Sequence, residues 1–98
     1  MNATDVIEVL ERAADRVEAG KWVARAPQVG EICAGVALSW GAWLVGGIDA
    51  HKLWRQAEDA LLREIGSSSV PVWNDAQTDK EVVVVALRNA KRWAHDVA

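Results

Sequence analysis

The feature that most constrains the fold of this chain is a central run, from Ile32 to Ile48, that contains no charged side chain. Two structures suit such a run: a transmembrane helix, or a helix that other helices surround on all sides. A transmembrane helix needs about 20 apolar residues, with about 17 as the lower limit, and this run reaches only that limit and contains four glycines. The segments on either side are amphipathic and need an apolar partner. We therefore interpret residues 29–48 as the central helix of a small bundle.

Amphipathic patterns predict the other helices, because apolar residues recur along them at steps of three and four. The predicted helices cover residues 4–19, 29–48, 50–65 and about 79–96. The connections between them cover residues 21–28 and 66–77. Thr4 and Asp49 are the expected N-caps of the first and third helices, and Gly20 and Gly66 are the expected stops. The pattern predicts an all-α fold, a compact four-helix bundle with a central apolar helix, as a single helical domain over residues 1–98.

The sequence Trp73-Asn74-Asp75 precedes the last predicted helix and is the most specific motif of the chain. Thr78 and Glu81 have the spacing of a capping box, in which each side chain accepts a hydrogen bond from the other residue's backbone N–H. Asn and Asp side chains can also turn the backbone through local hydrogen bonds. We therefore predict a fixed loop that ends in a helix start. Trp73 is either an interaction tip or a plug at the bundle end, with Asn74 or Asp75 tying the loop down.

Composition and charge limit the classes of function. The net charge is −3, so electrostatics give no support for nucleic-acid binding, and we interpret Arg88, Lys91 and Arg92 as a solvated helix face. Hydrophobic residues make up 51% of the chain, at the upper end of the usual range. A small domain cannot easily hide all of them, which favours a surface for a partner or a homodimer. Cys33 is the only cysteine, so no intramolecular disulfide can form, as suits a reducing cytoplasm.

The candidate catalytic set consists of Cys33 with either His51 or His95. A cysteine near a helix N-terminus can act as a nucleophile, but Cys33 is equally suited to be a small hydrophobe on a buried helix. The histidines are not spaced as metal ligands, and Gly46-Gly47 ends an apolar helix without the basic residue of a phosphate-binding loop. We therefore predict that the protein is not an enzyme, with no catalytic residue, metal site or cofactor.

The motifs of the chain resemble a family of small proteins from actinobacteria and their phages, known as a domain of unknown function. The resemblance spans most of the chain, and its parts are an "LxxAA" helix, a tryptophan, a Cys-Ala segment, and "WNDA" followed by Thr-x-x-Glu-Val. The matching residues are Leu10, Ala13, Ala14, Trp22, Cys33, Ala34, Ala37, Leu38, Trp73, Asn74, Asp75, Ala76, Thr78, Glu81 and Val82. The resemblance implies a cytoplasmic accessory protein of a bacterial host cell, encoded by a phage or prophage.

The function hypothesis is a small non-enzymatic accessory protein that binds a host protein and inhibits or redirects it. It depends on the lack of a catalytic constellation, the surplus of apolar residues and the resemblance. Two alternatives stay open: a small enzyme that uses Cys33, and a membrane-associated protein that uses residues 32–48. The expected partner is a host protein, with a homodimer as a further option and with neither nucleic acid nor membrane in the main hypothesis.

Overall fold

Six α-helices form within residues 2–98, the part of the chain that the computed structural model describes, and the predicted all-α bundle is confirmed. The helices are α1 (Ala3–Ala19), α2 (Ala34–Gly46), α3 (Ala50–Ile65), α4 (Val70–Asp75), α5 (Lys80–Asn89) and α6 (Ala94–Val97). Two short strands are β1 (Lys21–Trp22) and β2 (Glu31–Ile32), and two 3-10 turns cover Gly47–Asp49 and Ala90–Trp93. Every α-helix contributes buried residues to one hydrophobic core.

Helix α1 lies at the centre of the bundle, where it packs against α2, α3 and α5. Its fully buried stripe consists of Val6, Val9, Leu10, Ala13, Ala14 and Val17. The helix begins after Asn2, whose side-chain oxygen accepts a hydrogen bond from the N–H of Asp5 at 3.0 Å. The predicted cap at Thr4 is therefore wrong, and the stronger capping residue Asn takes that role. The helix stops before Gly20 as predicted, where a Cβ atom would lie only 2.8 Å from the carbonyl oxygen of Arg16.

Helix α2 packs against α1, α3 and α4, but it lies at the side of the bundle and not at its centre, because one of its faces stays exposed. The buried face consists of Ala34, Ala37, Leu38, Gly41 and Ala42. Gly41 allows the close approach to α1, since a Cβ atom there would lie 3.0 Å from the carbonyl oxygen of Val9. The opposite face is apolar but exposed. A helix that is apolar on all sides is usually buried on all sides, but this small chain has too few elements to surround it.

A parallel strand pair, which the sequence does not predict, precedes α2. Lys21 pairs with Glu31 and Trp22 pairs with Ile32. The loop between the strands turns at Gly30, which has a left-handed φ of +84°, and an ion pair between Arg25 and Glu31 closes it at 2.7 Å. These interactions hold residues 29–33, predicted as the start of the second helix, in a turn and a short strand outside α2.

Helix α3 has the predicted bounds, and Gly66 ends it with a left-handed φ of +65°. Asp49 occupies the position before the helix, but its side chain makes no capping hydrogen bond. The following segment differs from prediction, because residues 70–75 form α4 and not a loop. Ser69 caps that helix by accepting from the N–H of Val72 at 3.3 Å, and Pro71 in the first turn favours the helical backbone.

The last predicted helix is divided into α5, a 3-10 turn and α6. The predicted capping box of Thr78 and Glu81 is wrong by one residue. Asp79 is the N-cap of α5, and its side-chain oxygen accepts from the N–H of Glu81 at 2.9 Å. Both residues can cap a helix, but Asp is preferred over Thr at this position.

Candidate functional site

Asn74 is the only buried polar residue within residues 2–98, and its side chain joins three separate segments. Its oxygen accepts hydrogen bonds from the indole N–H of Trp22 at 2.8 Å and from the backbone N–H of Ala34 at 3.0 Å. Its nitrogen donates to the carbonyl oxygen of Val23 at 3.0 Å and to the carboxylate of Asp75 at 3.1 Å. The amide therefore fixes α4 against β1 and the start of α2.

The hydrogen bond to Ala34 replaces a missing helix cap. Ala34 is the first residue of α2, and its N–H is one of the donors that an α-helix leaves unsatisfied at its start. Cys33 occupies the N-cap position, but its side chain makes no capping hydrogen bond. Asn74 supplies the acceptor from α4 instead, so the motif Trp73-Asn74-Asp75 has a structural use.

The three residues of this motif have different surroundings. Asn74 is fully buried, and Trp73 is partly buried and packs against the hydrophobic core. Asp75 is exposed and accepts one hydrogen bond from the amide of Asn74. The structure thus places Trp73 as part of the bundle and not at the tip of a loop, which removes the geometric reason for treating it as a recognition residue.

The basic residues near the C-terminus are paired with carboxylates of α1 and α3. Arg88 bonds Asp15 at 3.0 Å and Glu18 at 3.3 Å, and these hydrogen bonds raise the pKa of the Arg88 guanidinium. Lys91 contacts Glu11 in the same row. Arg92 lies 3.0 Å from a carboxylate oxygen of Glu64 on α3. Each of these three cations is therefore paired with at least one carboxylate of the same chain.

A groove with a volume of about 450 Å³ runs between α2, α3 and the start of α4. Its lining includes Cys33, Val36, His51, Trp54, Glu58 and Pro71. The groove therefore brings together the cysteine and one of the two histidines that the sequence singles out, whereas His95 lies on α6 and is not part of this lining. The rings of His51 and Trp54 lie 5.6 Å apart and form one wall.

Cys33 and His51 lie near opposite ends of α2. Cys33 immediately precedes α2, and His51 follows the turn at the other end of that helix. A helix of this length spans about 20 Å, and both residues contribute to the lining of the groove. They make no hydrogen bond with each other, although such contact is the usual sign of an activated cysteine. Within residues 2–98 no group of His, Cys, Asp and Glu side chains is arranged to hold a metal ion.

A second cavity of similar volume lies beside α3 and has a polar lining. Lys52, Arg55 and Asp59 contribute to it, and all three are exposed. The side-chain oxygen of Gln56 is buried there and has no hydrogen-bond partner among the described residues. Charged residues at helical spacing are typical of a solvated helix face. None of the candidate catalytic or interaction residues predicted from the sequence lines this cavity.

The exposed side of α2 carries the largest apolar side chains of that helix. We call this surface the α2 outer face and define it by Val36, Trp40, Trp43, Leu44 and, in the following turn, Ile48. Trp43 is 66% exposed, Leu44 is 50% exposed and Ile48 is fully exposed. The guanidinium of Arg16 lies 5.6 Å from the ring of Trp40 and marks the edge of the face. Sequence reasoning missed this surface, because a uniformly apolar helix shows no period that distinguishes its inner side from its outer side.

No helix within residues 2–98 combines the length and the apolar character that crossing a membrane requires.

Comparison with known proteins places the chain in a family. The family described as "family of unknown function (DUF6197)" matches residues 1–92. The chain belongs to this family. No curated protein and no solved structure matches it. The family match covers both the motif around Asn74 and the α2 outer face, so both features lie within the part of the chain that defines membership.

Proposed function

We propose that this DUF6197 protein is a small non-enzymatic binding protein that holds another protein with the α2 outer face. The observation that supports the proposal is the exposure of five large apolar side chains, four on one side of α2 and one in the turn that follows it. No charged residue interrupts the sequence from Ile32 to Ile48. Single exposed apolar residues are ordinary, whereas a contiguous patch of this kind is typical of an interaction site.

The size of the face agrees with a binding role. Because a fully exposed tryptophan presents on the order of 250 Å², the exposed fractions of the five side chains correspond to roughly 500–600 Å² of apolar surface. Covering it would contribute on the order of 10 kcal/mol at about 25 cal/mol per Å², before the entropic cost of association. Trp43 is the expected hot spot, because its side chain is large, is 66% exposed and lies near the middle of the face.

The proposed partner is a protein of a bacterial host cell, which the accessory protein would inhibit or redirect in the cytoplasm. The resemblance to actinobacterial and actinophage proteins supports this context and an origin in a phage or prophage. The pairing of Arg88, Lys91 and Arg92 with carboxylates argues against nucleic acid as the partner.

Affinity capture from an actinobacterial lysate tests the proposal. The tagged protein is compared with Trp43→Ala and Leu44→Glu on the α2 outer face and with Val85→Glu on α5. Val85 is a matched control, because it is 46% exposed against 50% for Leu44 and lies mid-helix away from α2. We expect one enriched protein with the unmodified chain and with Val85→Glu, and its loss with both variants of the face. Equal enrichment in all four samples would contradict the assignment of binding to the α2 outer face. No enrichment in any sample would contradict the proposed binding function.

A cysteine-dependent enzyme is the second candidate, because the groove contains both Cys33 and His51. The separation of these residues along α2 does not favour it. The test is Cys33→Ser, which leaves the groove and the hydrogen bonds of Asn74 in place. Loss of the biological effect in a folded Cys33→Ser protein would support the enzyme, and an unchanged effect would exclude it.

A further inference from the structure

We infer that the α2 outer face of one copy of this protein binds the same face of a second copy, which gives a two-fold symmetric dimer. The inference rests on the proposed function insofar as both use this face as a protein-binding surface. It adds the identity of one occupant, and four properties of the face support it: charge, composition, spacing and shape.

The charge distribution permits the contact. A two-fold interface brings each residue near its own copy, so any charged residue close to the axis meets a like charge. The chain carries a net charge of −3, which disfavours self-contact over most of its surface. The α2 outer face carries no charge between Ile32 and Ile48. Two charges of opposite sign border it: Asp49 beside Ile48, and Arg16, whose guanidinium lies 5.6 Å from the ring of Trp40.

The composition of the face favours a lasting dimer. Interfaces of transient complexes are about as polar as the remaining protein surface, whereas homodimer interfaces are more apolar. Ser39 is the only hydroxyl side chain between Ile32 and Ile48. The five side chains of the face expose roughly 500–600 Å² per copy, by the same estimate as above. With the exposed neighbours Ser39, Gly47 and His51, the face approaches the approximately 800 Å² per partner of a standard interface.

The spacing of the exposed residues suits helix-on-helix packing. Val36, Trp40, Trp43 and Gly47 follow one another at steps of four, three and four, the alternation that aligns a seam between two helices. Leu44 and Ile48 flank this seam. Two copies of α2 can therefore lie side by side along most of their length.

The shape of the face offers a recess for a side chain of a second copy. The recess is a hollow of about 220 Å³, and its lining consists of Ser39, Trp43, Ala50, His51 and Trp54. In a two-fold contact the recess of each copy can receive the same side chain of the other copy. A second copy and a host protein would then compete for the same surface, so binding of the host protein requires the dimer to open.

Light scattering after size exclusion and sedimentation equilibrium test the inference on the full chain. We expect a mass of twice 10.7 kDa at high concentration, with dissociation on dilution. Leu44→Glu should give the monomer mass with an unchanged circular dichroism spectrum, and Val85→Glu should stay dimeric. A monomer at every concentration would overturn the inference, and so would a dimer that survives Leu44→Glu but not Val85→Glu.

Indole N–H signals in two-dimensional NMR locate the contact without any substitution. The chain has six tryptophans, and the signals of Trp40 and Trp43 should shift on dilution. The indole of Trp22, which is bonded to Asn74 inside the fold, should not shift. A monomer that instead sediments with lipid vesicles would assign the face to a membrane surface and overturn the dimer. A dimer with no captured host protein would refute only the proposed function, and a monomer with a captured protein would refute only the dimer.

Discussion

Replacing Asn74 with alanine should be one of the most damaging single substitutions in this protein. The side chain is fully buried and makes four hydrogen bonds. Alanine leaves the N–H of Ala34 and the indole N–H of Trp22 without their acceptor. It also leaves the carbonyl oxygen of Val23 without a donor and opens a small cavity. Asn74→Ala therefore leaves buried polar groups without hydrogen-bond partners, which the removal of a contact at the surface does not do.

The expected magnitude follows from the burial of the groups left behind. An unsatisfied buried polar group costs about 1–3 kcal/mol. Ala34 is fully buried, so its N–H cannot reach water and the cost lies in the upper part of that range. Trp22 and Val23 are only partly buried, so they add less. We expect Asn74→Ala to lower the free energy of unfolding by about 3–4 kcal/mol, a large part of the roughly 5–15 kcal/mol typical of a whole domain.

Urea denaturation followed by circular dichroism and tryptophan fluorescence measures this loss. Asp75→Ala is the matched control in α4, because it removes only one hydrogen bond at an exposed site, and it should cost less than about 1 kcal/mol. Trp22→Phe should cost about 1 kcal/mol, since the Asn74 oxygen still accepts from Ala34. The double variant of Trp22 and Asn74 should lose less than the sum of the two single variants, because phenylalanine has no N–H to leave unsatisfied. A cost of Asn74→Ala below about 1 kcal/mol, or additive effects in the double variant, would refute the role assigned to this amide.

Three further predictions concern other parts of the fold. Hydrogen bonds from the Arg25 guanidinium and from the Gln28 backbone N–H lower the pKa of Glu31 to about 2. An NMR titration should find a pKa well below the ordinary value, and Arg25→Ala should raise it. The contribution of this lowered pKa to the free energy of unfolding is fully present above 4.5, the ordinary pKa of the Glu31 side chain, and is lost as the pH falls toward 2. Glu31→Gln should remove this part of the pH dependence of stability. Gly41→Ala should lower the free energy of unfolding by about 1–3 kcal/mol, whereas Gly35→Ala, which meets open space, should not lower it; equal effects would contradict the close helix contact. Asp79→Ala should cost about 1 kcal/mol in urea denaturation, and no loss would contradict the assigned cap.

Local patterns predicted the parts of this fold whose causes are local. The bounds of α3 and the end of α1 agree with prediction, because an amphipathic period and a glycine stop act within a few residues of each other. Two good capping residues lie near the start of each of two helices: Asn2 and Thr4 at α1, and Thr78 and Asp79 at α5. The sequence alone therefore does not show which residue of each pair is the N-cap. The choice depends on which residue the rest of the fold leaves free to take the extended backbone of a cap.

The missed features depend on contacts between distant residues. Three of the four partners of Asn74 lie 40 to 52 residues away in the chain, and no spacing rule connects them. A two-residue strand pair is too short to show an alternating pattern. The outer side of α2 is hidden in the sequence, because its apolar residues look the same as those that face α1. The candidate interaction surface could therefore be recognised only once the packing of α2 was known.

The remote cap of α2 has a consequence for the order in which the protein can fold during synthesis. The first backbone N–H of α2, that of Ala34, donates to Asn74, which is synthesised 40 residues later. A nascent chain that has released α1, α2 and α3 from the ribosome still lacks Asn74, so the start of α2 frays and Trp22 has no bonding partner. The last step that locks α2 in place therefore comes only after α4 has emerged.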